Sequence, residues 1–449
     1  MFNKYLLRFF LLIGLLLTVT VAPTVISQGG YPEGTEISLL QWSHFVPRYD
    51  EWFDDYAQEW GEANGVGVTV DHISFEQIPA SITAEIDAGE GHTIIEWLFS
   101  PAAWIEGLHD LTDINLEAQE RWGEQAPTCK ASSYLPVLDQ YYGFCHGYVP
   151  DPGDYVISMW SAVGYPDGPS TYDELLDGGK KVREEFGVPL GIGLSPELDS
   201  EMANRAVIWS FGGSVQDENE NVVLNSPETI AAVEYMAELY RETMTEEVFG
   251  WNAASNNQGL IAGDLSYILN SISAYRSLQK IDEEAANDIG FTPALSGPGG
   301  QFASSHVWQI YLIPNHVEGD ELAAAKQFIL DHMENYNDAV YNSELYNFPA
   351  FAPTAPDLEG WLEEDPFGSV PADKLKVLAT ALDWGVHLGY PGASNPAIGQ
   401  VFGERVIANM VARVALGEMT AEESVAQAAQ RVEEIFEEWR AKGLVGGGD

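Results

Sequence analysis

The chain has few basic residues. Lysine and arginine together number 20 against 69 acidic residues, which gives a formal net charge of −49. A surface of this sign repels the phosphate backbone of nucleic acid, so a DNA- or RNA-binding protein is not expected. The acidic residues are spread along the whole chain. This distribution favours adaptation to a salty or otherwise demanding exterior over a single cationic ligand as the cause of the charge.

Cysteine is almost absent, with only Cys129 and Cys145 present. In an exported protein an isolated pair predicts one disulfide, which would stabilise the fold by about 3 kcal/mol in the chain-entropy model. Two free buried thiols are the alternative. The pair offers too few ligands for a metal site, because His146 alone does not complete one. We expect no metal and no cofactor.

The sequence also lacks common signatures of catalysis. It contains no Gly-x-Ser-x-Gly, no His-Glu-x-x-His and no Gly-x-x-x-x-Gly-Lys. Paired acids would suit a glycosidase, but with 69 acidic residues such pairs arise by chance. These absences argue against an enzyme, and a secreted carbohydrate-active enzyme is the alternative.

Long apolar runs are absent except at the N-terminus. Lys4 and Arg8 precede an apolar run from Phe9 to Leu17, and small residues follow it. These features predict a cleaved signal peptide over residues 1–27, with an uncleaved membrane anchor as the alternative. A lipid anchor is not expected, because no cysteine lies near the cleavage point. The mature protein is thus expected to be periplasmic or extracellular.

The mature chain begins with alternating strands and helices. Residues Glu36–Trp42 predict a strand, and the aromatic residues of 49–60 recur at helical spacing. A second strand follows at Val66–Val70, so this part predicts a βαβ unit with parallel strands. Ligands bind at the carboxyl ends of such strands, which makes Trp42 and His44 candidate ligand contacts.

A second informative stretch is Gly259–Arg276. Its apolar run, Leu265–Leu269, is long enough for one buried strand and is followed by polar and aromatic residues. Three of these, Asn270, Ser273 and Tyr275, are placed where an open α/β sheet forms a ligand crevice. The alternative is a core strand followed by an ordinary polar loop.

Several aromatic residues lie in or beside predicted strands, or in loops that can follow them. Aromatic rings stack on the C–H faces of sugars while amides and carboxylates bind the hydroxyls, and such sites are concave with a few convergent polar groups. The candidates are Trp42, Trp97, Tyr148, Tyr275, Trp308 and Tyr390. The alternative for each is a place in the core.

A series of short motifs resembles the extracellular solute-binding proteins of ABC importers, in the maltose-binding-protein-like family of sugar type. Their order and spacing together are specific to the family but not to a ligand. The motifs are Pro169–Leu175, Phe211–Gly213 followed by Asn225–Glu228, Gly259–Asn270, Ser296–Gly300, and Asn395-Pro396 through Thr420.

The resemblance implies an α/β fold of the two-lobe periplasmic-binding-protein type (type II). Its sheets would be mixed but mostly parallel and flanked by helices, with crossing strands that join the lobes. The expected boundaries are 28–147 for the first part of lobe 1, 148–270 for the first part of lobe 2, 271–313 for a return to lobe 1, and 314–445 for lobe 2 with the C-terminal helices.

The resemblance also implies a function and a site. Trp97 takes a family position at the cleft wall, and Ser273 and Tyr275 follow the returning strand, where sugar binders often place tryptophan. Tyr390 and Asn395 lie in a loop that often faces the ligand. The expected protein is a monomer that captures a sugar or oligosaccharide and delivers it to the transmembrane subunits of an ABC permease. A polyamine or other cation is the alternative ligand.

Overall fold

The computed structural model describes residues 30–448, so the predicted signal peptide at 1–27 lies outside the described residues. Helices dominate this range and alternate with short strands, as expected for an α/β protein. Between residues 30 and 448, no helix is long and apolar enough to cross a membrane.

Most of the strands are short. They are β1 (Glu36–Trp42), β2 (Gly67–Ile73), β3 (Ile94–Trp97), β4 (Tyr134–Leu135), β5 (Gln140–Tyr141), β6 (Phe144–Val149), β7 (Gly153–Val156), β8 (Tyr267–Leu269), β9 (Ile289–Thr292), β10 (Ser296–Gly297), β11 (Gly300–Gln301), β12 (Ala303–Ser304), β13 (Val307–Leu312), β14 (Phe348–Pro349) and β15 (Gly385–Val386).

The helices differ widely in length. They are α1 (Pro47–Asn64), α2 (Ile78–Ala88), α3 (Thr112–Trp122), α4 (Pro127–Ser133), α5 (Ile157–Ala162), α6 (Tyr172–Phe186), α7 (Leu198–Phe211), α8 (Pro227–Thr243), α9 (Ser255–Ile261), α10 (Ser273–Ile281), α11 (Glu283–Asn287), α12 (Gly319–Glu334), α13 (Tyr336–Asn342), α14 (Leu358–Glu363), α15 (Ala381–Trp384), α16 (Pro396–Gly403), α17 (Val406–Ala415) and α18 (Ala421–Ala441). Short 3-10 helices lie at Ala102–Gly107, Glu246–Phe249, Ala352–Thr354 and Lys374–Thr380.

The larger sheet forms the centre of lobe 1, and its described strands lie in the order β14-β6-β13-β3-β1-β2. β1 pairs in parallel with β2 and with β3, which confirms the predicted βαβ unit. α1 covers the unit: Pro47 begins this helix and Gly65 ends it in the left-handed conformation. β6 runs in the same direction as β1 and leads into lobe 2. The carboxyl end of β1 therefore lies at the sheet edge that faces lobe 2.

Lobe 2 is built on a smaller sheet with the order β8-β7-β9. β8 confirms the strand predicted within Leu265–Leu269. Helices α6, α7, α8 and α17 pack on one another beside this sheet. β7 enters from lobe 1 and runs away from it, so the antiparallel β8 runs back towards lobe 1. The residues after β8 consequently lie near the junction of the lobes.

The two-lobe α/β architecture with mixed sheets is confirmed, but the antiparallel share is larger than expected. Among the named strands that the structure describes, parallel pairs are β1–β2, β1–β3 and β12–β15, whereas β13 is antiparallel to both of its neighbours. The cause is the crossing of the chain. β13 arrives from lobe 2 and starts at the sheet edge that faces lobe 2. The neighbouring strands β3 and β6 end at that edge, so β13 is antiparallel to them.

The crossings, which are the points where the chain passes from one lobe to the other, differ from the predicted boundaries. The first lies between β6 and β7, close to the predicted position at 148. The predicted return at 271 is wrong, because β9 still pairs with β7 in lobe 2. The chain returns only after β12, through Ser305-His306, and β13 then joins the lobe 1 sheet. A strand that ends in polar residues gives the same sequence pattern whether or not a crossing follows.

The segment 314–445 does not belong wholly to lobe 2. α12 packs on α1 in lobe 1, with the ring centroids of Phe328 and Phe53 6.1 Å apart. β14 then pairs with β6 in the lobe 1 sheet. The chain enters lobe 2 again after β14, and α17 packs there on α7 and α8. The sequence could not place this boundary, because an amphipathic pattern shows that a helix is covered but not by which sheet.

The predicted disulfide is not present. Cys129 in α4 and Cys145 in β6 are both buried free thiols. The Cys145 thiol donates to the carbonyl of Gly147 at 3.3 Å. Burial, and then the neighbouring Cys129, raise the pKa of Cys145 well above its ordinary value, so the Cys145 thiol is a neutral core group at physiological pH.

Candidate ligand-binding cleft

A groove runs between the two lobes and consists of three adjoining cavities. They measure about 380, 240 and 10 Å³. Leu198, the first residue of α7, lines all three and so makes the groove continuous. Lobe 1 contributes the carboxyl ends of β1 and β3 with the loops that follow them. Lobe 2 contributes the N-terminus of α7 and the junction of α16 and α17.

The largest of these three cavities, here called the aromatic compartment, is lined by rings from both lobes. Trp97 and Trp104 of lobe 1 meet edge to face with ring centroids 6.0 Å apart. Phe402 of lobe 2 contacts Phe99 of lobe 1 at a centroid distance of 4.7 Å, and Trp439 completes the wall. Because each lobe supplies part of the lining, the compartment is complete only when the lobes are together.

Polar groups lie among these rings. The indole of Trp439 donates to the side-chain oxygen of Gln400 at 2.7 Å, and the amide of Gln400 donates to Glu404 at 2.8 Å. Ser100 also lines the compartment and donates to the carbonyl of Ser394 at 3.1 Å. The carboxylate, amide and hydroxyl groups can therefore exchange hydrogen bonds with the hydroxyls of a ligand whose faces rest on the rings.

The middle cavity, here called the charged compartment, contains Glu76 of lobe 1 with Glu197 and Arg405 of lobe 2. Arg405 adopts a left-handed conformation with φ 56° immediately before α17. For a residue other than glycine this costs about 1 kcal/mol or more, and such strain concentrates at ligand sites. Burial lowers the pKa of Arg405, although the carboxylates of Glu201, Glu197 and Glu76 oppose this effect.

The smallest cavity, here called the inner pocket, lies where the lobes meet. Besides Leu198, the residues that line it are Trp42, Phe45, Phe75, Leu98, Phe99, Asp199, Met202, His306, Val307 and Tyr346. Trp42 is almost wholly buried, with 1% of its surface exposed. Its indole nitrogen has no hydrogen-bond partner within residues 30–448. A buried N–H of this kind is costly unless a ligand or water supplies an acceptor.

One carboxylate, that of Asp199, lines the lobe 2 side of the inner pocket, and Glu197 lies two residues before it in the chain. Glu197 caps α7 and accepts the backbone N–H groups of Asp199 and Ser200. Asp199 accepts from the amide of Asn256 at 3.2 Å. Burial, and then the charge of Glu197, raise the pKa of Asp199 well above its ordinary value. The Asp199 carboxylate is therefore destabilised unless a cation or a strong donor reaches it.

An ion pair joins the first two crossings beside this pocket. Asp151, between β6 and β7, lies 3.0 Å from the imidazole of His306, between β12 and β13. Burial alone would lower the pKa of His306, but the bond to Asp151 raises it overall. Asp154 lies behind the pair in β7, where burial and then Asp151 raise its pKa strongly, so this carboxyl is neutral.

A second hollow, of about 620 Å³, lies at the opposite end of the lobe 1 sheet. It is an open depression at the amino ends of β1 and β2, and its lining includes Glu33, Glu36, Asp320 and Glu321. Lobe 2 contributes nothing to it, and parallel strands bind ligands at their carboxyl ends. We therefore place the ligand site in the inter-lobe groove.

A sequence model of the bacterial extracellular solute-binding proteins matches residues 55–367 of the chain. The chain belongs to this family. Compared with curated protein sequences, it has no match.

Solved structures resemble the solute-binding protein over almost its whole length. Maltose-bound MalE3 of T. maritima superimposes with a TM-score of 0.72 at 20% identity, over 90% of this chain and 100% of that one. A sugar transporter of Arthrobacter chlorophenolicus A6 with bound laminaribiose gives 0.73 at 14% identity, over 89% and 99%. The ABC substrate-binding protein Lmo0181 of Listeria monocytogenes, in complex with cycloalternan, gives 0.71 at 15% identity, over 92% and 100%. At these identities the likeness concerns the fold.

Two of the residues predicted from the sequence line the groove of the solute-binding protein. Trp42 lies in the inner pocket, and Trp97 lies in the aromatic and charged compartments. Asn270 and Ser273 lie close behind the groove, in a polar network with Asn257, which donates to Ser273 Oγ at 3.1 Å. Neither of them lines a cavity.

The remaining lobe 1 candidates are core residues. His44 bonds to Asn347 at 3.0 Å, and burial lowers the pKa of this imidazole to about 4. The indole of Trp308 donates to Thr128 at 2.6 Å. Tyr148 is buried in β6, and its ring lies against Phe348. Each of these side chains is held by packing or hydrogen bonds within lobe 1.

The lobe 2 candidates are also structural. Tyr275 lies in α10, is fully buried, and donates to Ser369 at 2.8 Å. The carbonyl of Tyr390 accepts from Trp209 at 3.1 Å. Asn395 caps α16. None of these three lines any part of the groove formed by the described residues.

Sequence reasoning missed the residues that lobe 2 places in the groove. Leu198 and Asp199 begin helix α7, and Arg405 lies in the turn before α17. The candidates predicted from the sequence came instead from the ends of strands. No local signal marked the start of α7, because glutamate is not among the residues that commonly cap helices.

Proposed function

We propose that the protein captures a saccharide in the inter-lobe groove and delivers it to the membrane subunits of an ABC importer. The observation that carries the proposal is the aromatic compartment. It combines the rings of Trp97, Trp104, Phe402 and Trp439 with polar groups at their edges. Rings of this kind stack on sugar faces, and the polar groups match hydroxyls. The sugar ligands named for MalE3 and the Arthrobacter protein support the same class.

Capture depends on closure of the lobes. Trp104 belongs to lobe 1 and Phe402 to lobe 2, so a saccharide contacts both only in the closed form. Binding then shifts the equilibrium towards closure by the differential affinity for that form. The permease recognises the closed lobes, and the protein acts outside the cytoplasmic membrane after removal of residues 1–27. It carries out no chemistry on its ligand.

A thermal-shift screen over oligosaccharides, polyamines and peptides tests the proposal. We expect an oligosaccharide to raise the melting temperature and to be recovered unchanged. Trp104→Leu keeps an apolar side chain but removes a flat ring, and should weaken the affinity for that saccharide about tenfold. Trp361→Leu is the matched control, since Trp361 is a half-buried tryptophan that packs on Tyr341 outside the groove. Stabilisation by a polyamine and by no saccharide, or release of a shortened product, would contradict the proposal.

A further inference from the structure

We propose that the saccharide carries a cationic amino group, and that this group occupies the inner pocket against Asp199. The inference rests on the proposed function and narrows its ligand class to amino sugars and amine-bearing oligosaccharides. It stands on four features of the inner pocket: its charge, its unpartnered donor, its rings and its size.

The first feature is an excess of carboxylates over available cations. Asp199 lines the inner pocket, Glu197 lines the adjoining charged compartment, and Asp151 is bonded to His306 of the pocket wall. His306 lines the inner pocket and its charge acts on Asp199, but its imidazole is bonded to Asp151 at 3.0 Å. Arg405 lines the charged compartment together with Glu76 and Glu197. Asp199 has no salt bridge to any cation within residues 30–448, and its carboxylate accepts only from the neutral amide of Asn256.

A half-buried carboxylate without a cation is unfavourable, because burial raises its pKa and an ion pair would restore its charge. The ammonium of a ligand would provide that ion pair. The same ammonium would lie near Glu197, the residue before Leu198 in the chain, and so would offset the repulsion between the two acids. The protein thus leaves a place for one positive charge at this position.

The second feature distinguishes an amino sugar from a bare polyamine. The buried indole N–H of Trp42 lines the same pocket and lacks an acceptor among the described residues. A protonated polyamine offers only donors, so it would leave this N–H unsatisfied. An amino sugar presents a hydroxyl or ring oxygen beside its ammonium. One ligand of this class can therefore donate to Asp199 and accept from Trp42.

The third and fourth features are the rings and the size of the pocket. Trp42 and Phe45 meet edge to face at 5.5 Å, and Phe75 lies 6.0 Å from Phe45. Aromatic faces attract ammonium groups. The pocket of about 10 Å³ accepts a group the size of one water molecule, whereas the adjoining compartments of about 380 and 240 Å³ accept sugar rings. In this pose the amine enters the inner pocket, the ligand oxygen that accepts from Trp42 lies where the pocket opens to the adjoining compartments, and the rest of the saccharide fills the groove.

Calorimetric titration tests the inference with the β-1,4-linked disaccharide of glucosamine, its N-acetylated form, cellobiose and spermidine. We expect the amine form to bind about thirtyfold more tightly than the two neutral disaccharides, as for a hydrogen bond to a charged group. Asp199→Asn should reduce its affinity to that of cellobiose and leave cellobiose unchanged. Asp264→Asn, at an exposed acid that lines no part of the groove, is the matched control and should preserve the preference.

The outcomes separate this inference from the proposed function. Equal binding of the amine and neutral disaccharides by the wild-type protein would overturn the inference but leave saccharide capture intact. An equal loss of affinity for the amine and the neutral disaccharides in Asp199→Asn would also overturn the inference and leave saccharide capture intact. Binding of spermidine together with no disaccharide would overturn both. If Asp199→Asn does not fold, the wild-type comparison of the amine form with cellobiose decides alone, because a hydroxyl replaces the ammonium at the same size and without its charge.

Discussion

Two buried residues in the core of lobe 1, Glu96 and His146, have pKa values far from their ordinary ones. Glu96 in β3 and His146 in β6 are fully buried, with the carboxylate oxygen 2.9 Å from the imidazole nitrogen. Burial raises the pKa of Glu96 to about 8 and lowers that of His146 to about 3. At neutral pH both groups are therefore uncharged, and the carboxyl donates to the imidazole. An ion pair in this environment would have to overcome the desolvation of two charges.

Glu96→Gln should change how stability depends on pH. The pKa of Glu96 lies above its ordinary value of 4.5, so its contribution is fully present below pH 4.5 and is lost as the pH rises through about 8. The wild-type protein should lose up to about 1.4 kcal/mol of unfolding free energy per pH unit over this range relative to the variant. Denaturant unfolding between pH 5 and 9 measures the difference.

The matched control for this prediction is Glu433→Gln, at an exposed acid on α18. Its difference from the wild-type protein should stay nearly constant over the same pH range. A constant difference for Glu96→Gln as well would show that Glu96 is ionised in the folded protein throughout.

Helix ends position much of the groove. α7 begins at the groove with the cap Glu197, and α16 carries Gln400 and Phe402 into the aromatic compartment. Asn395 caps α16 by accepting the backbone N–H of Ile398 at 2.9 Å. The sequence pattern Asn-Pro at 395–396 fits a cap followed by proline in the first turn. The resemblance had instead suggested a ligand contact at this residue.

Asn395→Ala should therefore act on stability and not on binding. It removes the cap and also the bonds that the amide donates to Gln216 at 2.9 Å and Glu220 at 3.1 Å. We expect a loss of about 1–3 kcal/mol in unfolding free energy, measured by denaturant titration. Saccharide affinity should change by less than about threefold, because Asn395 does not line the groove and no hydrogen bond to the ligand is lost. A large loss of affinity at unchanged stability would place Asn395 in contact with the ligand.

On the scale of the whole molecule, the lobes are joined both by the crossings and by side chains outside the groove. Arg276 of α10 in lobe 2 donates to the carbonyl of Glu344 in lobe 1 at 2.8 Å and to both carboxylate oxygens of Asp365. Lys280 also pairs with Glu344 at 2.9 Å. These contacts do not line the groove. They hold the two lobes together at a second place beside the crossings.

The sequence was informative where one local pattern determines structure. The spacing of Tyr49, Phe53 and Trp60 identified α1, and the apolar run of 265–269 identified β8. The pattern failed where partners are distant, since nothing local tells that β9 still pairs with β7. The same limit applies to the candidate site: Trp42 could be proposed from its place at a strand end, whereas Asp199 reaches the inner pocket only through the packing of lobe 2 against lobe 1.

The crystal structure of the protein with the saccharide that stabilises it most tests the central claim most directly. We predict electron density for the sugar rings in the aromatic compartment, between Trp104 of lobe 1 and Phe402 of lobe 2, with the lobes closed around it. Density confined to the outer surface of one lobe, or an empty groove at a saccharide concentration that saturates binding in solution, would contradict capture between the lobes.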